Sequence, residues 1–323
     1  MRRKFYMKHL ISIWICLLVL LLSGCSAASG DSQSGSGSGA SGGSGSSGEG
    51  ARPSDPVVYI PEAPGTSLIG ADPLIIDVSN CSSGYVMAKY SGIAEKANIQ
   101  ITGSDGVSYK YFLTPSDSYT PLPLTAGDGS YQIDGYENIS GNEYAVLFRQ
   151  TMDVQLENEL LPFLYPSQYV NFNTDSQAVL AASETVRSAS DDLEAVEDIY
   201  HFVIGSVVYD EEKAEDVTSG YLPDVDETLS SGKGICFDFA ALTAAMLRSQ
   251  DIPTRLEIGY SGSIYHAWIS VYLEETGWID NIIEFRGDGW TRMDPTFAAS
   301  NENSEKILEY IGDGSNYTTQ YIR

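Results

Sequence analysis

The last third of the chain holds a thiol, an imidazole and a carboxylate in three separated stretches: Gly234-Ile235-Cys236-Phe237-Asp238, Tyr265-His266-Ala267-Trp268 and Met293-Asp294-Pro295-Thr296. A thiol becomes a strong nucleophile once a base takes its proton, and the base needs a third group to fix its tautomer. Cys236, His266 and Asp294 have the side chains for those roles in an acyl-transfer reaction. Each also has a plainer use. A Cys at a helix start is often a core residue, a lone His is often structural, and Asp-Pro is a common turn start. Asp280 and Asp288 are rival carboxylates for the imidazole.

The elements that would position these groups are legible nearby. Gly232 and Gly234 allow a sharp turn, and the apolar run after them predicts a helix over residues 236–250, stopped by Pro253. A helix that begins at the thiol places unpaired N–H groups and the positive end of its dipole there, which favours thiolate and can hold an oxyanion. After Tyr265, alternation predicts a strand with His266, Trp268, Ser270 and Tyr272 on one face and the core residues Ala267, Ile269, Val271 and Leu273 on the other. Asp294 closes a further expected strand, where Pro295 ends the ladder.

Upstream, Leu193, Val196, Tyr200 and Val203 recur at helical spacing and predict a helix ending near Gly205. His201 falls off that apolar face, which leaves His266 as the available base. A loop rich in Gly, Pro and Asp is expected between that helix and Gly234. Strands near residues 255–259 and 266–273 complete an antiparallel α+β layer over residues 159–323.

Residues 57–158 read differently. Short alternating runs such as Tyr85-Val86-Met87-Ala88, Asn98-Ile99-Gln100-Ile101 and Tyr144-Ala145-Val146-Leu147 are punctuated by Asp105-Gly106, Asp128-Gly129 and Asp134-Gly135, which are hairpin signals. The expectation is a small all-β sandwich-like domain with turns at those pairs and no catalytic constellation.

The chain opens with Arg2, Arg3, Lys4 and Lys8 and an apolar run to Leu22, followed by Ser23-Gly24-Cys25, the pattern of a secretory signal over residues 1–24. The small residues before Cys25 resemble a lipobox, which implies that Cys25 carries the lipid and that the protein is anchored to the cell membrane, facing outside the cytoplasm. A Gly/Ser-rich linker over residues 25–56 acts as a flexible leash with a reach on the order of 30 Å. The net charge of −26 makes nucleic acid a poor partner. It favours a cationic substrate, and equally keeps an exported protein soluble. Once the leader is gone, Cys81 and Cys236 remain for the folded body, too few for a disulfide scaffold, and Cys81 reads as a buried or turn residue. His201 and His266 lack metal-ligand spacing, so no metal or other cofactor is expected.

Taken together, Gly234-Ile-Cys236-Phe-Asp238-Phe-Ala240-Ala241-Leu242, Leu247-Arg248, Ile252-Pro253, His266-Ala267-Trp268, Trp290 and Asp294-Pro295-Thr296 resemble the transglutaminase-like superfamily of papain-type thiol enzymes, over roughly residues 195–300. The resemblance implies Cys236 as nucleophile, His266 as general base and Asp294 as its orienting group. It implies a papain-like fold with the Cys helix on an antiparallel sheet, and a protein or peptide amide as substrate. In one respect the chain departs from animal transglutaminases, which place an oxyanion-holding Trp upstream of the Cys. Here Trp268, Trp278 and Trp290 all lie downstream. Tyr209 is the candidate for the missing donor, with core packing as its other reading. A non-catalytic surface-tethered binding module on the same fold is the alternative from another functional class.

Overall fold

The computed structural model describes residues 52–218, 220–280, 283–285, 290–292 and 317–323. The leader, Cys25, most of the Gly/Ser run, Asp288 and Asp294 lie outside the described residues. The fold is mixed helix and strand, with an all-β part preceding the Cys-bearing part.

Eight strands come first: β1 (Leu68–Ala71), β2 (Leu74–Asp77), β3 (Tyr85–Tyr90), β4 (Ala97–Thr102), β5 (Ser108–Leu113), β6 (Thr120–Pro123), β7 (Gly129–Ser140) and β8 (Glu143–Val154). They form two antiparallel sheets, β1-β2-β3-β6 and β5-β4-β7-β8. Period-two burial explains why: Tyr109, Tyr111 and Leu113 of β5 are buried while Ser108 and Lys110 are exposed. Those side chains join Ile99, Ile101, Leu122 and Ile133 in one core.

Asp105-Gly106 turns β4 into β5, with Gly106 at φ +78°. Asp134-Gly135, expected as a turn, instead lies inside β7. Asp134 is buried and ion-paired with Arg149 across the ladder at 3.1 Å, while Gly135 makes room for the Phe148 ring. Here the glycine serves close packing within a strand, not a turn. Asp128-Gly129 opens β7, and the β7–β8 reversal falls at Gly141-Asn142, where the Asn138 amide donates to Gly141 O and Glu143 O.

The later residues build α1 (Gln177–Thr185), α2 (Asp192–Ser206), β9 (Val208–Tyr209), α3 (Glu211–Asp216), α4 (Val225–Ser231), β10 (Lys233–Gly234), α5 (Cys236–Arg248), β11 (Thr254–Ser261), β12 (Ile264–Leu273), β13 (Gly277–Ile279), β14 (Ile283–Phe285), β15 (Trp290–Arg292) and β16 (Tyr317–Ile322). The main sheet runs β13-β12-β11-β16, all antiparallel. α5 packs against it and is flanked by α1, α2 and α4. Every residue from Asp238 to Arg248 is buried. An apolar surface on all sides is what a helix enclosed by a sheet and other helices requires. The Arg248 guanidinium at its end is satisfied by carbonyls alone: Thr254 O, Tyr165 O and Arg323 O.

α2 matches the expected apolar stripe, with Val196, Tyr200 and Val203 buried and His201 exposed. The expected loop before Gly234 contains two short helices. Asp210 caps α3 by accepting from Lys213 N, and Asp224 caps α4 by accepting from Asp226 N and Glu227 N. Local capping rather than an apolar stripe defines these helices, so periodicity missed them. Within the expected α+β layer, residues near 160 form a single 3-10 turn, Leu161–Phe163, and regular helix begins only at Gln177.

Two contacts tie segments to this core. After the Gly/Ser run, Arg52 pairs with Asp192 at 2.5 Å, Val57 N donates to Ser249 O, and Val58 packs on the helical core. Arg323 is buried with its guanidinium 4.9, 4.7, 4.4 and 5.6 Å from the ring centres of Tyr109, Tyr111, Tyr169 and Tyr321. Two of those rings belong to β5 and one to β16, so a cation–π cluster fastens the last described strand to the sandwich.

Candidate active site

The approach to Cys236 is built one residue at a time. Gly232, at φ +64°, ends α4 in the left-handed conformation. Lys233 and Gly234 then pair in parallel with Val208 and Tyr209, with Val208 N donating to Gly232 O and Asp210 N to Gly234 O, each at 2.9 Å. A side chain at 234 would put its Cβ 2.7 Å from Asp238 Cβ, so only glycine lets the turn fold this tightly against α5. Ile235 is the extended N-cap residue and Cys236 is the first residue of the helix.

Asp238 holds this turn. It sits in the first turn of α5, fully buried, and Oδ2 accepts from Ile235 N at 2.8 Å and from Lys213 Nζ at 2.7 Å. Tyr221 Oη donates to Oδ1 at 2.5 Å. A buried carboxylate is tolerable because three donors, one of them a cation, surround it. Burial opposes the charge on Lys213, but the hydrogen bonds and charge interactions with Asp238 and Tyr221 together outweigh it and raise the pKa. Burial, and then the bond to Asp238, push the Tyr221 phenol up to about 12. The Tyr221 and Tyr169 rings pack against Phe237, with centres 6.4 and 5.7 Å away.

His266 enters from β12, directly opposite Gly259 of β11. The Gly259 backbone runs close against Thr318 of β16, which leaves no space for a side chain. His266 is buried, and its ring stacks on that of Trp268 at 6.2 Å and 28°. The alternation of β12 is as expected, with Ala267, Ile269, Val271 and Leu273 in the core shared with α5. The opposite face is more enclosed than a solvated cleft. Trp268 and Ser270 are buried, Glu257 accepts from Ser270 Oγ at 2.5 Å and Thr319 Oγ1 at 2.6 Å, and Tyr317 meets the Trp268 ring edge-on at 5.1 Å.

Of the residues singled out by sequence, the structure places Cys236 and His266 on two packed elements, α5 and β12. Tyr209 lies beside the thiol: its backbone pairs with Gly234, and burial followed by the negative charge of Cys236 raises its phenol pKa. It also packs on the helical core. Asp280 is exposed, and its charge acts on Arg255. Asp294 and the lipid-bearing Cys25 fall outside the described residues. Cys81 and Cys236 are both free and half-buried. Among the described residues, no group of His, Cys, Asp and Glu is arranged to hold a metal ion.

Residues 180–295 match the transglutaminase-like superfamily, and that span contains Cys236, His266 and Asp294. This segment is a transglutaminase-like domain. Solved structures similar to the chain include a candidate cysteine protease from Cytophaga hutchinsonii, at 15% identity and TM-score 0.37 over 80% of this chain and 74% of that one. The periplasmic domain of TgpA from Pseudomonas aeruginosa aligns at 14% identity and TM-score 0.33 over 75% and 99% of the two chains. Red sea bream transglutaminase aligns at 14% identity and TM-score 0.26 over 71% and 53%. No curated protein sequence matches the chain.

Within the transglutaminase-like domain, sequence reasoning passed over Asp238 as a residue with its own work. The available signal was an acidic residue in the third helical position, where it can reach back to the N-cap amide. Lys213 and Tyr221 had no such signal, because their link to Asp238 depends on how α3 and the following loop fold back over α5. Glu257 was equally hidden, since a carboxylate in a strand reads as solvent-facing until a further strand covers it.

Proposed function

We propose that the protein is a thiol acyl-transfer enzyme acting on protein or peptide amides, with Cys236 as nucleophile, His266 as general base and Asp294 as the group that orients His266. The observation that carries this reading is Cys236 opening a helix whose first turn is locked by buried Asp238, on the same helix that packs against the strand bearing buried His266. Transfer of the thiol proton to the imidazole creates the thiolate. Sγ attacks the amide carbonyl carbon, and the oxyanion is met by the Cys236 N–H and the Tyr209 hydroxyl, whose raised pKa keeps its proton available. Collapse breaks the C–N bond, His266 returns the proton to the leaving amine, and a thioester remains. Water then releases an acid, or a second amine forms a new amide, and the thiol is regenerated.

The lipobox-like Ser23-Gly24-Cys25 and the Gly/Ser run support placing this enzyme on the outer side of the cell membrane, anchored through lipidated Cys25. Among the described residues, no helix is long and apolar enough to cross a membrane.

Incubating the protein with a mixed protein substrate and a tagged primary amine, followed by mass spectrometry, tests the reaction. Amine adducts on glutamine identify transfer, and new chain ends or deamidated side chains identify hydrolysis. The absence of every product, with Cys236→Ala indistinguishable from wild type, would overturn the enzymatic reading and leave the binding-module alternative.

A further inference from the structure

A cleft of about 640 Å³ opens between the sandwich and the loops leading to α1 and α4. Its lining differs from the rest of this acidic chain, because Lys96 is the sole charged residue and no carboxylate takes part. Three aromatic residues, Phe112, Tyr119 and Tyr144, supply flat apolar surface, and three amides, Asn142, Gln168 and Asn171, supply paired donors and acceptors. Gln168 is nine-tenths buried. Its Nε2 donates to Phe112 O at 2.7 Å, while its buried Oε1 has no hydrogen-bond partner.

The walls are edge strands, β5 and β6, yet neither is open to pairing with a peptide backbone. The outward carbonyls of β5 at Lys110 and Phe112 already accept from Tyr169 Oη and Gln168 Nε2. β6 carries Pro121 and Pro123, which have no N–H, and Pro121 O accepts from Gln168 N. Recognition must therefore run through side chains. We propose that this cleft binds a short uncharged sugar chain, whose ring faces lie on the aromatic side chains and whose hydroxyl or acetamido groups pair with the amides. The cleft is linked to the thiol's surroundings through two neighbouring residues. Gln168 precedes Tyr169 and Leu222 follows Tyr221, the two residues whose rings pack on Phe237 beside Cys236. On the thiol-enzyme reading, a sugar chain held there would belong to the substrate on which Cys236 acts, and this last step alone rests on that reading.

Calorimetric titration of the full chain with an N-acetylglucosamine tetramer and with cellotetraose tests the cleft without using the thiol. Saturable binding of either sugar is expected, with affinity falling at least tenfold in Tyr144→Ala, a half-buried position on β8, and in Gln168→Leu. Circular dichroism confirms the fold of each variant, and alkylation of Cys236 by iodoacetamide stays at the wild-type rate. Binding of tetra-alanine in place of the sugars would overturn the assignment in favour of peptide. Lack of binding by any probe at millimolar concentration, or sugar binding unaffected by both substitutions, would overturn it as well. A protein that binds sugar but forms no acyl product would sink the thiol-enzyme reading and leave the cleft assignment intact.

Discussion

Cys81 and Cys236 are both free, both half-buried and both the first residue of a helical segment, yet their surroundings share little. Cys81 opens a three-residue 3-10 turn with no side-chain cap, packed against the apolar core of the sandwich. Cys236 opens a 13-residue helix whose entry is fixed by two glycines, a parallel two-strand bridge and a buried carboxylate with three donors. A long helix aligns enough peptide dipoles to act on a charge at its start, and a single 3-10 turn does not. The contrast teaches that a reactive thiol is recognised by what holds its backbone and by what faces it, since partial burial and a place at a helical start are common to both sites.

The sharpest way to break the comparison is to exchange the two thiols' fates. Cys236→Ala should lower acyl transfer by at least ~10³-fold, the scale expected when a nucleophile is removed. Cys81→Ser should leave turnover within about twofold, as for a substitution away from the site. Product formation followed by mass spectrometry measures both, and equal losses would erase the distinction. Next in size, His266→Ala should reduce turnover by roughly 10²–10⁴-fold, the usual contribution of a positioned general base.

The turn before Cys236 supplies the next tests. Asp238→Asn removes the counterion of Lys213 and one acceptor for the Ile235 amide, and should destabilise the protein by about 1–3 kcal/mol in urea denaturation. Lys213 is about a third exposed, so water replaces part of its lost partner and holds the figure to that range. Alkylation of Cys236 should slow while that of Cys81 does not change. Gly234→Ala forces its Cβ against Asp238 and should cost about 1–3 kcal/mol by the same measurement. Both substitutions leave the Cys81 environment untouched, so a variant that changed the two thiols equally would show the effect to be global.

The smallest effect is on pH. The Tyr221 phenol, raised to about 12, binds its proton more tightly in the folded chain than in the unfolded one, where its pKa is 10.0. Its contribution to stability is therefore complete below pH 10 and is lost as pH rises through 12. Tyr59, Tyr90 and Tyr111 are raised to about 12 in the same way and act in the same window. Tyr221→Phe should flatten, without abolishing, the fall in urea midpoint between pH 10 and 12.

Much of the site was legible because chemistry and periodicity coincide in it. Cys236 begins a helix after glycines, and His266 begins a strand whose alternate residues are apolar. The strands around Tyr85, Asn98 and Tyr144 followed from alternation in the same way. What periodicity missed depends on long-range contact. Asp134-Gly135 has a turn's composition, but Arg149 and Phe148 on the neighbouring strand give both residues partners inside the ladder. α3 and α4 have aspartate caps without an apolar stripe, so they look like loop. Glu257 is buried only because β16, more than fifty positions downstream, lies against β11. The same strand helps enclose the sheet face that carries His266.

The central claim is that Cys236 is an activated thiol and Cys81 is not. Alkylation rates of both cysteines, followed by peptide mass spectrometry from pH 5 to 9 in the wild type and in His266→Ala, test it most directly. Cys236 should react much faster than Cys81 at the acid end of this range and lose that advantage without His266, while the Cys81 rate is the same in both proteins. Two cysteines alkylated at the same rate across the range, with no response to His266→Ala, would contradict it.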